Sequence, residues 1–309
     1  KNIPNIIIAG PTASGKTKLS IELAKKISGE IINADIMQMY KGFEILKAMP
    51  SKEEKCDVKH HLFGIINKET KFTVANWIQL AQEKICEIHK KEKIPILVGG
   101  TGMYLNAALE GLAEIPIISR IHREKAVEYF NKKGFDYIFK KLLKIDKNIK
   151  IEKNDRQRLI RAYEVYLQTG KSIKWWQRNL KSEPIIKNSL KVIISPARDE
   201  LYSCIDKRVD IMLEKGLIEE AKKEILNIFS FDLPSMKAIG IKFLYQYLNN
   251  EIDHDNAVNL IKKESRRYAK RQSTWFRNSF SCDLNYNKIY TGDMKFVNKA
   301  VKALNLLYT

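Results

Sequence analysis

Short apolar runs alternate with amphipathic stretches in the first third of the chain. Apolar residues dominate positions 6–9, 30–34 and 94–98, and each run has the length of a buried strand. Helical spacing of apolar residues follows at 16–27 and again at 72–91. This alternation predicts an α/β fold with a parallel sheet flanked by helices, in which ligands bind at the carboxyl ends of the strands.

The pattern changes between about residues 111 and 187, where the sequence is helical, basic and rich in Tyr, Phe and Trp. A strand-like run then returns at 190–195. We therefore interpret residues 113–187 as a mostly helical insertion into a core formed by 1–112 and 188–309. Helical patterns in the last part of that core cover 199–215, 217–228, 236–249 and 256–276.

A glycine-rich loop separates the first predicted strand from the first predicted helix. Its sequence is Gly10-Pro11-Thr12-Ala13-Ser14-Gly15-Lys16-Thr17, which fits the phosphate-loop pattern G-x-x-x-x-G-K-S/T. Backbone N–H groups of such a loop cradle a phosphate chain, the lysine neutralises its outer oxygens, and the hydroxyl of Thr17 is offered to Mg²⁺. The loop and its context predict a P-loop NTPase-like core that binds a polyphosphate.

The acidic residue that NTPases place at the end of a second strand is missing from its usual position. The apolar run at 94–98 ends in Gly99-Gly100-Thr101, whereas the run at 30–34 ends in Asp35. Three roles are open for Asp35: to hold Mg²⁺ in a kinase, to act as a general base in a transferase, or to cap a helix. The glycine pair lets the backbone approach a ligand closely.

Positive charge is concentrated in two regions of the chain. The chain carries 55 Lys and Arg against 36 Asp and Glu, a net charge of +19. Residues 120–181 hold 18 basic and seven acidic residues, a net charge of +11, and residues 258–277 add +6. Two basic regions on a nearly neutral body predict a surface for a polyanion such as a nucleic acid.

Composition excludes several classes of protein. Hydrophobic residues make up 44% of the chain, which is too many for wholesale disorder. No apolar window is long enough for a spanning helix, and the sequence starts without the features of a signal peptide, so we expect a cytoplasmic protein with no membrane partner. Four cysteines far apart predict free thiols, and the adjacent His60 and His61 predict core or turn hydrogen bonds rather than a metal site.

Several motifs together resemble the tRNA dimethylallyltransferases, and they cover nearly the whole chain in that family's order. One departure is Ile36, where the family commonly has Ser. The matching blocks are the phosphate loop, Asp35-Ile36-Met37-Gln38-Met39-Tyr40-Lys41-Gly42, His60-His61-Leu62, Val98-Gly99-Gly100-Thr101-Gly102-Met103-Tyr104, Asn154-Asp155-Arg156-Gln157-Arg158-Leu159-Ile160-Arg161-Ala162, Ala238-Ile239-Gly240 and Tyr268-Ala269-Lys270-Arg271-Gln272-Ser273-Thr274-Trp275-Phe276-Arg277.

The resemblance implies transfer of a dimethylallyl group from dimethylallyl diphosphate to N6 of an adenosine just 3′ of the anticodon in tRNA. The phosphate loop and Mg²⁺ then hold the diphosphate of the prenyl donor, and Asp35 accepts the proton of the adenine amine. Thr101 contacts the substrate, while Lys16 and Arg123 stabilise the departing diphosphate.

The resemblance also implies contacts with the anticodon stem-loop of tRNA. A basic stripe on the last predicted long helix, with Lys263, Arg267, Lys270 and Arg271 at i, i+4, i+7 and i+8, suits a phosphate backbone. The residues expected to contact tRNA are Asp35, Ile36, Met37, Gln38, Thr101, Arg123, Gln157, Arg158, Leu159, Ile160, Arg161, Lys270 and Arg271.

Three alternatives explain part of this pattern. A small-molecule kinase using ATP accounts for the phosphate loop and Asp35, but it leaves the basic regions without a role. An NTP-driven or non-catalytic RNA-binding protein accounts for the charge, but it leaves Asp35 and Thr101 unused. An adenylate prenyltransferase would use the same chemistry on AMP, although the insertion and the basic C-terminal helices favour tRNA. The absence of an obvious heptad or apolar seam predicts a monomer.

Overall fold

A computed structural model describes residues 3–225 and 232–308. Every strand pairing in these residues is parallel, which confirms the predicted parallel sheet flanked by helices. The strands are β1 (Asn5–Ala9), β2 (Gly29–Asn33), β3 (His60–His61), β4 (Ile94–Gly99), β5 (Ser189–Ile194) and β6 (Leu284–Tyr286). Their order in the sheet is β3-β2-β4-β1-β5-β6.

Both faces of the sheet are covered, as the continuous apolar runs require. In β1 the side chains of Ile6 and Ile8 enter one hydrophobic cluster, and those of Ile7 and Ala9 enter the cluster on the opposite face. Successive side chains of a strand point to opposite faces, so a strand buried on both sides reads as an unbroken apolar run. All five residues of β1 are buried.

Helices connect the strands and close the core. Among the described helices, none is both long and apolar enough to cross a bilayer. The helices of the core are α1 (Lys16–Ile27), α2 (Ile36–Met39), α3 (Lys52–Lys55), α4 (Val74–Lys90), α5 (Gly102–Glu110), α9 (Arg198–Glu214), α10 (Leu217–Ile225), α11 (Ile241–Leu248), α12 (His254–Ser279) and α13 (Met294–Asn305), and those of the insertion are α6 (Arg120–Ile145), α7 (Arg156–Thr169) and α8 (Ile173–Asn179).

The structure corrects the predicted helix at 236–249. A 3₁₀ turn at Pro234–Lys237 comes first, and α11 begins only after Gly240. Gly240 has a φ of 105°, a conformation that an α-helix cannot contain, so the helical pattern is interrupted there. The last residues of the helix predicted at 217–228 lie outside the described residues.

The chain divides into two compact units, residues 1–109 with 185–309 and residues 110–184. In the second unit, α6 and α7 pack around buried apolar residues that include Ile138, Leu142 and Tyr163. Helix α6 is kinked at Gly134, which has a φ of 73°. The boundaries lie within three residues of those predicted, and the assignment of this unit to tRNA binding stays a prediction.

Candidate active site

The backbone of the phosphate loop has the conformation that its glycine-rich sequence predicts. Gly15 precedes α1 with a φ of 93°, and a Cβ there would overlap the carbonyl of Tyr290 behind the loop. Only glycine fits both the conformation and the space. The backbone N–H of Tyr290 donates to the Ser14 carbonyl at 3.0 Å, so the segment after β6 supports the loop from behind.

One anion and two cations meet in front of this loop. Asp35, Lys16 and Arg208 line the same cavity and influence one another electrostatically. Burial among protein atoms raises the pKa of the Asp35 carboxyl, while the Met37 N–H and the charges of Lys16 and Arg208 oppose that rise. Burial lowers the pKa of Lys16 to about 7; the charge of Asp35 opposes this and that of Arg208 adds to it.

Asp35 is held at the end of β2 by local hydrogen bonds. Its carboxylate accepts a hydrogen bond from the Met37 N–H at 3.0 Å, which makes it the N-cap of α2. The buried Asn33 accepts from the Asp35 N–H at 2.9 Å and donates to the Asp35 carbonyl at 2.9 Å. Capping therefore fixes the carboxylate in the cavity, and one oxygen, Oδ1, is used for the cap. The capping role and a role in chemistry are compatible.

Arg208 was not predicted from the sequence. It lies on α9 and donates to the hydroxyl of Thr12 at 3.0 Å, which places a guanidinium beside the phosphate loop. Burial lowers the pKa of Arg208, and the negative charge of Asp35 opposes the shift. The one signal in the sequence is that Arg208 borders the apolar stripe of its helix next to Val209, where a solvated residue is less expected.

The glycine pair after β4 allows close packing on two sides. A Cβ on Gly99 would lie 2.5 Å from the carbonyl oxygen of Ala34, so β4 approaches the end of β2 closely. The hydroxyl of Thr101 is buried and has no hydrogen-bond partner of normal geometry among the described residues. The hydroxyl of Tyr268 lies near it, and burial raises the pKa of Tyr268, helped by the charge of Asp35. The Thr101 hydroxyl thus lies next to the phenol of Tyr268 at the end of β4.

The segment after Asp35 is tied to a neighbouring loop. The side-chain amide of Gln38 donates to the carbonyls of Lys47 and Ala48, at 3.0 Å each. The ammonium of Lys47 is buried and donates to the Tyr40 carbonyl at 3.1 Å, and burial lowers its pKa to about 8. These bonds occupy the Gln38 amide hydrogens, so its carbonyl oxygen is the group left to contact a base. Ile36 and Met37 are half-buried beside it.

A cavity of about 650 Å³ extends from the loop. Its polar wall combines the phosphate loop from Thr12 to Thr17 with Asp35 and Arg208. Its other walls contain apolar side chains, which suit a hydrocarbon group. The apolar residues of the lining are Ile21, Ile31, Ala48, Pro50, Phe63 and Val98.

The other predicted tRNA contacts lie in the insertion, which is described here by itself. Arg123 is on α6, and Gln157, Arg158, Ile160 and Arg161 are on α7. Arg158 is exposed and pairs with Asp155 at 3.2 Å, and Arg161 pairs with Glu164 at 2.6 Å.

Leu159 needs a correction. Its side chain is completely buried in the core of the insertion, where it packs with residues of α6 and α7. The predicted contact of Leu159 with RNA is therefore not made by its side chain in this structure.

The basic stripe of α12 is exposed along its length. Lys263, Arg267, Lys270 and Arg271 are all exposed. Lys270 and Arg271 form no ion pair within the part of the chain that the structure describes, whereas Arg267 pairs with Glu264. Unpaired exposed cations are free to meet a phosphate backbone.

Donors for a metal ion are few. Within residues 3–225 and 232–308, no group of three or more His, Cys, Asp or Glu side chains is placed to hold a metal. His61 instead contacts Glu30 at 2.7 Å, in line with the predicted core role. Oxygen donors beside the phosphate loop include the exposed Thr17, the carboxylate of Asp35 and the buried Ser14 hydroxyl, which has no hydrogen-bond partner in these residues. The carboxylates of Glu22 and Glu54 also line the cavity.

Comparison with known proteins gives consistent matches. A family profile described as IPP transferase matches residues 38–279. A tRNA dimethylallyltransferase from Pelagibacter ubique is 46% identical over 274 residues, which cover 88% of each chain. A tRNA isopentenylpyrophosphate transferase from Bacillus halodurans has a similar structure (TM-score 0.69, 37% identity, 99% of this chain and 95% of that one). A eukaryotic dimethylallyltransferase acting on tRNA matches with a TM-score of 0.82 and 27% identity, over 98% of this chain and 78% of that one.

Proposed function

The chain belongs to the IPP transferase family, and from this premise we propose that it transfers a dimethylallyl group from dimethylallyl diphosphate to N6 of the adenosine just 3′ of the anticodon in tRNA. The predicted enzyme class, a tRNA dimethylallyltransferase, is confirmed by the named relatives. The observation that carries the detailed proposal is one half-buried carboxylate, Asp35, in the cavity that also contains a phosphate loop and the cations of Lys16 and Arg208.

Asp35 serves as the general base. The exocyclic amine of adenine is a weak nucleophile, because its lone pair is delocalised into the ring. As the bond from N6 to C1 of the dimethylallyl group forms and the bond from C1 to the diphosphate oxygen breaks, the amine loses a proton. The carboxylate of Asp35 accepts that proton, while backbone N–H groups at the start of α2, that of Met37 among them, hold it in place.

The phosphate loop and two cations stabilise the leaving diphosphate. Negative charge develops on the departing oxygen, and the phosphate loop, Lys16 and Arg208 line the same part of the cavity. Arg208 adds to this set a cation that the sequence did not predict. A role for Arg123 in stabilising the diphosphate stays a prediction from the family resemblance.

The residues at the cavity fit a magnesium ion held together with the diphosphate. Oxygen atoms are the ligands that Mg²⁺ prefers, and the hydroxyls of Thr17 and Ser14 supply two of them, whereas the carboxylate of Asp35 serves the proton transfer. Two hydroxyls are too few for an all-protein site, so phosphate oxygens would complete the shell. When bound, the ion neutralises charge on the diphosphate.

Exposed basic residues support tRNA as the second substrate. The stripe of α12 suits the phosphate backbone, and Arg158 and Arg161 on α7 are predicted to grip the anticodon loop. Sequence-specific recognition of RNA favours single-stranded loops whose bases are splayed out. The target adenine would reach Asp35 only after it leaves the loop stack.

The experiment that tests the proposal supplies Mg²⁺, radiolabelled dimethylallyl diphosphate and unmodified tRNA with adenosine at the target position, without ATP. Wild type should label the tRNA, and Asp35→Asn should be slower by at least about a hundredfold, the usual contribution of a general base. Asp57→Asn is the matched control, because Asp57 is an exposed aspartate with a φ of 62°, which asparagine adopts readily. Label on AMP but not on tRNA would identify an adenylate prenyltransferase, and no transfer to either would refute the proposal.

A further inference from the structure

A buried glutamine joins the two loops that form the candidate active site. Gln272 lies on α12 and is 6% exposed. Its Oε1 accepts from the Thr12 N–H at 2.9 Å, and its Nε2 donates to the Gly100 carbonyl at 2.9 Å. Because Thr12 offers a donor and Gly100 an acceptor, only one orientation of the amide satisfies both partners.

We propose that Gln272 is a positioning residue for the transfer reaction, which fixes the phosphate loop relative to the loop at Gly100–Thr101. The inference rests on the function proposed above. The phosphate loop holds the leaving diphosphate, and the Gly100–Thr101 loop lies beside Asp35 where the amine arrives. The distance between the two loops therefore sets the distance between the carbon that is attacked and the attacking nitrogen.

Other contacts keep the phosphate loop folded without Gln272. The Tyr290 N–H donates to the Ser14 carbonyl at 3.0 Å, and the Lys16 ammonium donates to the Pro11 carbonyl at 2.6 Å. None of these contacts reaches Gly100, whereas a Cβ on Gly100 would overlap the Gln272 amide. Removing the amide therefore leaves a loop that binds diphosphate and stays joined to β4 through the pairing of Ala9 with Gly99, but it loses the restraint that Gln272 places on Thr12 relative to Gly100. The expected loss is in rate and not in affinity.

The first test is Gln272→Met, which keeps the volume of the side chain and removes both hydrogen bonds. The single-turnover rate of transfer should fall about a hundredfold, the effect of misplacing reacting groups by about 1 Å. The dissociation constant of dimethylallyl diphosphate should stay within about threefold, because the binding groups are retained. A weaker affinity for dimethylallyl diphosphate with an unchanged single-turnover rate would show that Gln272 acts in substrate binding, and it would overturn the proposal.

The matched control is Phe276→Leu, one turn further along α12 in the hydrophobic core. It lowers stability without touching either loop, and its melting temperature provides the comparison. The rate of this variant should stay within about threefold of wild type, as expected for a change that removes no transition-state contact. An equal loss of rate in Gln272→Met and Phe276→Leu would show that Gln272 acts only through the stability of the fold, and it would overturn the proposal.

A second test uses Gln272→Glu and pH. The ionised carboxylate accepts from the Thr12 N–H but has no proton for the Gly100 carbonyl, whereas the protonated carboxyl serves both. Burial favours the protonated form. The rate of the variant divided by that of wild type should therefore rise as the pH falls from 8 to 6, and a flat ratio would contradict the proposal.

A readout independent of turnover separates this proposal from the proposed function. Hydrogen exchange of the Thr12 amide should accelerate in Gln272→Met and remain at the wild-type rate in Phe276→Leu. Unchanged exchange would overturn the positioning role whatever the reaction is. A wild-type protein that transfers no label would instead refute the proposed function, and the exchange result would still decide whether Gln272 restrains the loop.

Discussion

Binding of dimethylallyl diphosphate should become weaker as the pH rises above 7, because the diphosphate group binds the protonated form of Lys16. The pKa of Lys16 is lowered to about 7, mainly by burial, so its ammonium is largely lost by pH 8.5. The terminal phosphate of the ligand loses its last proton near pH 6 and stays ionised above that pH. From pH 7.5 to 8.5 the apparent affinity should fall about eightfold, or about 1.2 kcal/mol, for one group with this pKa.

Titration calorimetry in two buffers of different ionisation enthalpy measures the linked proton directly. At pH 8 about 0.9 proton should be taken up for each ligand bound, because the bound diphosphate restores the charge of Lys16. Lys16→Arg is the informative variant, since a guanidinium stays charged throughout this range and should abolish the uptake. An uptake below about 0.2 proton in wild type, or one that persists in Lys16→Arg, would refute the assigned role of Lys16.

Three further changes probe other parts of the molecule. Arg208→Gln should weaken binding of dimethylallyl diphosphate at least about tenfold in calorimetry, the loss expected for a charged hydrogen bond, whereas Arg198→Gln on the exposed face of the same helix should not. Gly102→Ala should lower the free energy of unfolding in urea by about 1–3 kcal/mol, because the new methyl group overlaps a tryptophan ring; an unchanged midpoint would contradict this. Replacing Lys270 and Arg271 by Ala should reduce the salt dependence of tRNA binding by about two counterions without altering donor affinity, and an unchanged slope in fluorescence anisotropy would argue against contact.

The sequence predicts the parts of the site that follow directly from strand ends. In a parallel sheet the carboxyl ends of β1, β2 and β4 lie on one edge, so the phosphate loop, Asp35 and the Gly99–Gly100 pair had to come together. The short strands β3 and β6 were not predicted, because runs of two and three residues carry too little periodicity.

The missing parts of the site come from distant helices. Arg208 and Gln272 reach the loop from α9 and α12, which follow the insertion in the chain. The one local signal, the place of Arg208 beside an apolar stripe, is weak, since an arginine beside an apolar stripe and a glutamine in a basic helix are both common on protein surfaces. Only the packing of α9 and α12 against the sheet edge shows that these two side chains face inward. The monomeric state also stays a prediction from the sequence.

The charges in the cavity explain how one carboxylate can act as a base beside two cations. In the free enzyme burial raises the pKa of Asp35, while the charges of Lys16 and Arg208 oppose that rise. When a diphosphate binds, its negative charge offsets that of the cations and adds repulsion toward Asp35. Both effects raise the affinity of the carboxylate for a proton, which strengthens the base only when the prenyl donor is in place. As negative charge grows on the departing diphosphate, Lys16 and Arg208 interact more strongly with it and less strongly with Asp35. Proton acceptance by Asp35 and departure of the diphosphate therefore favour each other in the same step of the reaction.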